Sequence, residues 1–149
     1  MDCREVKKNH WIMEITDNTL GRTERIKSRK QIETLFGGGR SRSMASYPLR
    51  LVYMTEDADN ADHTGLMMMV SVSKRHFKRA VKRNRVKRQV REAYRLNKRL
   101  LLPATERLSG KTLSMAFIWL ADELMPTERV EKSVTNLMQR LNERITMDI

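Results

Sequence analysis

The sequence feature that most restricts the fold of this chain is a basic segment that runs from Lys74 to Arg99. This segment holds thirteen basic residues and a single acid, Glu92, so its net charge is +12. Apolar residues recur through it and just beyond it at helical spacing: Val86, Val90, Ala93, Tyr94 and Leu101. We therefore predict a helix over about 81–101 that buries one apolar face and turns a cationic face outward, with Pro103 as its end.

The positive charge is local rather than spread over the chain. All 149 residues together also carry +12, with a sequence pI of about 10.3, so the residues outside the basic segment balance to zero. Within the predicted helix, cations spaced by four residues stack along one face, where each like-charged pair costs about 0.2–0.5 kcal/mol. These cations are Arg83, Lys87, Arg91 and Arg95. Such a face indicates a polyanionic partner that neutralises it.

Nucleic acid is the polyanion that this pattern favours, and several alternatives stay open. A solvated helix face usually mixes both signs of charge, and an interfacial membrane helix carries a bulky apolar face that this segment lacks. A nuclear signal, a calmodulin-type helix and an acidic protein partner are the remaining interpretations. Asn84 interrupts the cations near the predicted helix start, where it could cap the helix or contact a phosphate or a base.

The rest of the sequence alternates between helical and strand patterns. In chain order it predicts a helix at about 29–36, a short extra strand within 39–47, strands at 49–54, 66–73 and 112–120, and a helix that Pro126 opens. Ser28 and Gln31 form a capping box before the first helix, and Gly37 is predicted to follow its last residue. The last helix has an apolar stripe: Val130, Val134, Leu137, Leu141 and Ile145. The order α-β-β-α-β-α, with the extra strand, predicts one two-layer α+β domain.

The cysteine count and the N-terminus exclude several classes of protein. Cys3 is the only cysteine, which excludes a disulfide framework and zinc sites built from paired cysteines. The chain has no apolar run long enough to span a membrane, and its charged N-terminus is not a secretory signal. We therefore predict a cytoplasmic protein without a membrane partner. Residues 1–19 are separately predicted to form a flexible N-terminal extension, and residues 20–149 the folded domain.

Signals for catalysis in the chain itself are weak, because no known catalytic motif is present and the histidines are scattered. One acidic stretch could suggest a metal site: Asp57, Asp59, Asp62 and His63. It lacks the Gly and the Glu that an EF-hand loop requires, so a solvated loop is the favoured interpretation. We expect no catalytic residue and no metal-binding residue in this protein.

Three motifs closely resemble the signature of the bacterial ribonuclease P protein family. They are SVSKR at Ser71–Arg75, AVKRNRVKR at Ala80–Arg88 and REAYR at Arg91–Arg95. The R-I-K sequence at 25–27 and Ile32–Phe36 are similar to the first helix of that family, and Leu49–Tyr53 is similar to its first strand. The resemblance covers about 20–145, and its central pattern is far longer than a generic basic run.

This resemblance implies a function, a fold detail and a set of partners. Ribonuclease P removes the 5′ leader from precursor tRNA, and its large RNA subunit is the catalyst, with Mg²⁺. The small protein is an accessory subunit that is expected to be inactive alone, to bind no cofactor itself and to form a 1:1 complex with the RNA. The family topology also implies a left-handed crossover through the basic helix, although connections of this kind are usually right-handed.

The resemblance assigns residues to two binding surfaces. The basic helix docks on the catalytic RNA, and the matching residues are Arg83, Asn84, Arg85, Lys87, Arg88, Arg91 and Arg95. A cleft between the first helix and the sheet holds the single-stranded leader, and the matching residues are Ile32, Phe36, Tyr53, Ser71 and Arg75. The chain departs from the family pattern where Ile32 replaces a common Phe, and where Lys78 and Met69 replace common glycines.

Two other functions compete with the role of an accessory subunit, and each predicts different properties. A generic RNA- or DNA-binding protein could place the basic helix in a major groove, which would require residues that read base edges. A helix face this densely cationic favours contacts to phosphates instead. An independent nuclease would cleave RNA with Mg²⁺ and without an RNA subunit.

Overall fold

The computed structural model describes residues 25–26, 29–37, 39, 41–57, 65–108 and 111–147. The elements in chain order are α1 Arg29–Gly37, β1 Arg42–Ser46, β2 Leu49–Asp57, β3 Gly65–Ser71, α2 Ala80–Asn97, a 3₁₀ turn Lys98–Leu101, α3 Leu102–Arg107, β4 Lys111–Trp119 and α4 Thr127–Met147. The α+β class and the short extra strand agree with the prediction. None of the described helices is long and apolar enough to cross a membrane.

The four strands form one sheet in the order β1-β2-β4-β3. β1 pairs with β2, and β2 with β4, in antiparallel fashion, whereas β3 and β4 are parallel. Parallel neighbours require a crossover connection, and α2 lies in the connection between these two strands. The left-handed sense of this crossover stays a prediction from the family resemblance.

The main core lies between one face of the sheet and the helices α2 and α4. Side chains alternate along a strand, so Leu49, Leu51 and Tyr53 of β2 all point into this core. The predicted stripe of α4 is buried along its whole length, and the stripe residues predicted for the basic helix are buried as well. Tyr94 of α2 meets Phe117 of β4 edge-on, with ring centroids 6.2 Å apart. The apolar periodicity of both helices is therefore confirmed.

A smaller core lies on the opposite face of the sheet, under α1. Leu35 is fully buried there against Val52 and Ala116. The chain before α1 runs along the edge of β3, where the Ile26 backbone N–H donates to the Met68 carbonyl oxygen at 3.0 Å. We call this side of the sheet the α1 face. The short helix thus adds partial cover to a second face, beyond the two layers that were predicted.

The end of the basic helix differs from the prediction. α2 ends at Asn97, and Pro103 does not stop it but lies in the first turn of α3. A proline is tolerated there because the first backbone N–H groups of a helix have no partner within it. Gly37 is the last residue of α1 rather than the residue after it. Ser28 of the capping box, residues 1–24 and residues 58–64, which include Asp59, Asp62 and His63, lie outside the described residues.

Candidate nucleic-acid interface

The buried stripe of α2 determines which of its cations reach solvent. Of the residues predicted to bind the catalytic RNA, Asn84, Arg85 and Arg88 are exposed. The row spaced by four is half-buried throughout: Arg83, Lys87, Arg91 and Arg95. This row follows the flank of the buried stripe, because Lys87, Arg91 and Arg95 each directly follow a buried residue and consecutive residues are about 100° apart around a helix. All seven predicted residues nevertheless belong to one helix that the core holds in a single orientation.

Arg83 holds the turn before α2 in place. Its Nη1 donates to the carbonyl oxygens of Phe77 at 2.8 Å and Lys78 at 2.9 Å. The N-cap of α2 is Arg79, so the interpretation of Asn84 as an N-cap is wrong. Asn84 lies one turn into the helix with an exposed side chain, where its amide faces solvent.

A second cation stands beside Arg91 on the flank of α2. Burial lowers the pKa of Arg91, and the neighbouring positive charge of Arg25 lowers this pKa further. Arg25 comes from the segment that pairs with Met68 at the edge of β3. Both effects disfavour the charged guanidinium in the free protein, and a bound phosphate would offset them. Arg25 was not among the predicted site residues; the R-I-K match at 25–27 was the available signal.

Glu92 and Arg95 form an ion pair on the same helix. Arg95 Nε donates to Glu92 Oε2 at 3.1 Å, and Arg95 Nη2 donates to the other carboxylate oxygen. The hydrogen bond from Arg95 lowers the pKa of Glu92, so the carboxylate stays charged at neutral pH. Lys98, one of the thirteen basic residues, is fully buried. The cationic surface is thus smaller than the residue count suggests.

We expect the Glu92→Gln variant to bind RNA about two- to fivefold more tightly than the wild type, because it removes the single acid of the cationic helix α2. Since the pKa of Glu92 is lowered, the gain should persist through mildly acidic pH and shrink only when the wild-type carboxyl is itself protonated. Filter binding at several pH values measures this. Glu131→Gln on α4 is the matched control, and weaker binding by Glu92→Gln would contradict the prediction.

The structure places the predicted leader-binding residues on two sides of the sheet. Ile32 packs partly against the small core under α1, and Phe36 is 47% exposed. Ser71 is half-buried and shares the α1 face with Met69 by strand alternation. Arg75 is exposed in the turn after β3, where its backbone N–H donates to Ser73 Oγ.

Tyr53 does not join this group. It is buried in the main core, and its hydroxyl oxygen accepts a hydrogen bond from Arg144 Nη1 at 3.2 Å. Odd-numbered residues of β2 face α4, so Tyr53 lies across the sheet from α1. The assignment of Tyr53 to a cleft between the first helix and the sheet is therefore wrong, because its side chain lies on the opposite face of the sheet.

We expect the Tyr53→Phe variant to lose about 0.5–1.5 kcal/mol of folding stability, the usual contribution of one hydrogen bond, and to bind leader RNA normally. Denaturant unfolding and leader binding test the two halves of this prediction. Tyr47→Phe provides a control, because Tyr47 is 55% exposed. If Tyr53→Phe lost affinity for leader RNA alone, Tyr53 would belong to the leader-binding surface after all.

Comparison with known proteins relates this arrangement to one family. The sequence model of the Ribonuclease P family matches residues 20–142. The ribonuclease P protein component of Porphyromonas gingivalis is 44% identical over 123 residues, which cover 82% of this chain and 85% of that protein. The ribonuclease P protein component of Chlorobaculum tepidum is 30% identical over 129 residues, which cover 83% of this chain and 83% of that protein.

Solved structures share the fold. The ribonuclease P protein of Thermotoga maritima superposes with a TM-score of 0.60 at 20% identity, over 78% of this chain and 96% of that one. The Staphylococcus aureus protein gives a TM-score of 0.57 at 21% identity, over 79% of this chain and 94% of that one. The four-stranded sheet with its helices is therefore an architecture that these proteins have in common.

Proposed function

This chain belongs to the ribonuclease P protein family, and on that premise we propose that α2 docks on the catalytic RNA while the α1 face of the sheet holds the 5′ leader of precursor tRNA. The protein is an accessory subunit of an endoribonuclease that matures the 5′ end of tRNA, and its partner is the ribonuclease P RNA. The observation that carries the docking proposal is the exposed cationic side of α2, opposite its buried stripe.

Docking through α2 is supported by charge and by rigidity. Arg85 and Arg88 project from a helix whose other side is buried in the main core, so little backbone order must be gained on binding. Each phosphate that they neutralise releases counterions from the RNA, which makes the affinity strongly dependent on salt. Arg91 and Arg25 extend this surface towards the edge of β3.

Leader binding is supported by the exposed ring of Phe36 beside a sheet face. Bases of a single strand stack on aromatic rings without a sequence requirement, as a variable leader demands. Ile32 offers an apolar neighbour on the same helix, and Ser71 a hydroxyl on the sheet. The two surfaces would let one small protein hold the catalytic RNA and the substrate leader together.

Magnesium belongs to the RNA subunit in this proposal. Within the described part of the chain, no group of three or more His, Cys, Asp or Glu side chains could hold a metal ion. The cations of α2 would instead neutralise RNA phosphates and so lower the magnesium concentration at which the catalytic RNA folds and acts. A cytoplasmic 1:1 complex, without a membrane partner, completes the proposal.

A cleavage assay at low magnesium tests the accessory role directly. Precursor tRNA is incubated with the catalytic RNA alone, with the protein alone and with both. We expect cleavage only with both. Cleavage by the protein alone would make it a nuclease, and no stimulation by folded protein with its cognate RNA would favour a generic RNA- or DNA-binding protein.

A further inference from the structure

One end of the α1 face is left open by the helix above it. Strand register places four residues in a row across the whole sheet: Ala45, Arg50, Ile118 and Ser71. Ala45 and Arg50 are exposed, and Ile118 and Ser71 are half-buried. In the next row, by contrast, Val52 and Ala116 are buried under α1. We call the exposed row the open row.

Arg50 is the charged residue of the open row. Its Nη2 donates to Ser43 Oγ at 3.2 Å, which ties the guanidinium to the neighbouring strand on the same face. No carboxylate of the described residues forms an ion pair with it. Glu56, which shares its face of β2, is six positions further along the strand, about 20 Å away at the strand rise of about 3.3 Å per residue.

These features make the open row suited to a nucleic-acid backbone. A guanidinium has five N–H donors, so one bond to Ser43 leaves donors for a phosphate, in the paired geometry that arginine offers. Ile118 lies beside Arg50 and presents half-exposed apolar surface for a sugar or a base. The row attracts a polyanion, because no described carboxylate neutralises the charge of Arg50 in an ion pair.

We propose that Arg50 binds a phosphate of the 5′ leader and positions the strand on the open row after it leaves α1. This inference rests on the proposed leader function of the α1 face and names a residue that the sequence motifs did not indicate. Arg50 acts on substrate binding and placement and takes no part in the cleavage step. Its partner Ser43 orients the guanidinium.

The test uses the holoenzyme, reconstituted with its cognate RNA, and three substrates: precursor with a long leader, precursor with a single-nucleotide leader, and mature tRNA. We expect Arg50→Ala to bind the long-leader precursor roughly fivefold more weakly and to lower its logarithmic salt slope by about 0.7, the value for one phosphate on a single strand. Binding of the other two substrates should not change. Arg50→Lys should recover part of the loss.

Arg129→Ala is the matched control, because Arg129 is an exposed arginine at the start of α4, which packs on the other face of the sheet. Unchanged long-leader binding by Arg50→Ala, or an equal loss for mature tRNA, would overturn the proposal. The proposed function has its own readout: a wild-type holoenzyme that does not prefer leader-bearing precursor refutes the leader cleft itself. Thermal unfolding of each variant shows whether weaker binding comes from the loss of an RNA contact or from a destabilised fold.

Discussion

Replacing Arg88 and Arg91 together with alanine is expected to lower the affinity of this protein for the ribonuclease P RNA by about a hundredfold near 0.15 M salt. Arg88 is exposed in the middle of α2, and Arg91 lies half-buried on its flank beside Arg25. If each contacts one phosphate, the logarithmic salt slope should fall by about two. A salt titration of binding to the isolated RNA measures both quantities.

The control for this variant replaces Arg129 and Lys132 of α4, which removes the same charge from another exposed surface. An equal loss of affinity in the control would mean that only net charge matters and would contradict docking through α2. Arg83 is a poorer choice for this test. Its hydrogen bonds to Phe77 and Lys78 hold the turn before the helix, so its removal changes local structure together with charge.

Arg91 offers a sharper version of the same experiment. When folding lowers the pKa of a base, holding the proton costs more free energy in the folded state than in the unfolded state. The charge of Arg91 therefore opposes folding at every pH at which the unfolded chain keeps this residue protonated. The uncharged variant Arg91→Met should therefore leave the free protein equally or more stable, although it binds RNA more weakly. Loss of stability together with loss of binding would assign Arg91 a structural role instead.

The Phe36→Ala variant is expected to weaken binding of leader-bearing precursor by about tenfold or more and to leave assembly with the catalytic RNA unchanged. Stacking of one base on an aromatic ring is worth about 1–3 kcal/mol. The ring is 47% exposed, so its removal should cost little folding stability. Holoenzyme binding to precursor and to mature tRNA gives the comparison.

Leu35→Ala separates this contact from the integrity of α1. Leu35 is fully buried beneath the helix, so its truncation should cost about 2–5 kcal/mol and loosen α1 from the sheet. Phe36→Ala should instead unfold like the wild type. An equal loss of affinity for mature tRNA in Phe36→Ala would refute the cleft assignment.

Much of the fold was readable from local sequence. The stripes of α2 and α4 repeat every three or four residues, and a helix with such a stripe has one way to bury it. The short strand before β2 and the boundaries of β4 followed from the same kind of pattern. The signature around Arg83–Arg88 identified the family, because a motif is a property of neighbouring residues. The charge count of the basic segment also needed no structure.

What the tertiary structure alone decided is which side chains face which partner. Alternation along β2 puts Arg50 and Tyr53 on opposite faces, but only the packing of α1 and α4 shows that Arg50 shares its face with α1 and that Tyr53 contacts Arg144. The burial of Lys98 and the approach of Arg25 to Arg91 likewise depend on segments far apart in the chain. Periodicity carries short-range information along one element, whereas a binding surface is made where separate elements meet.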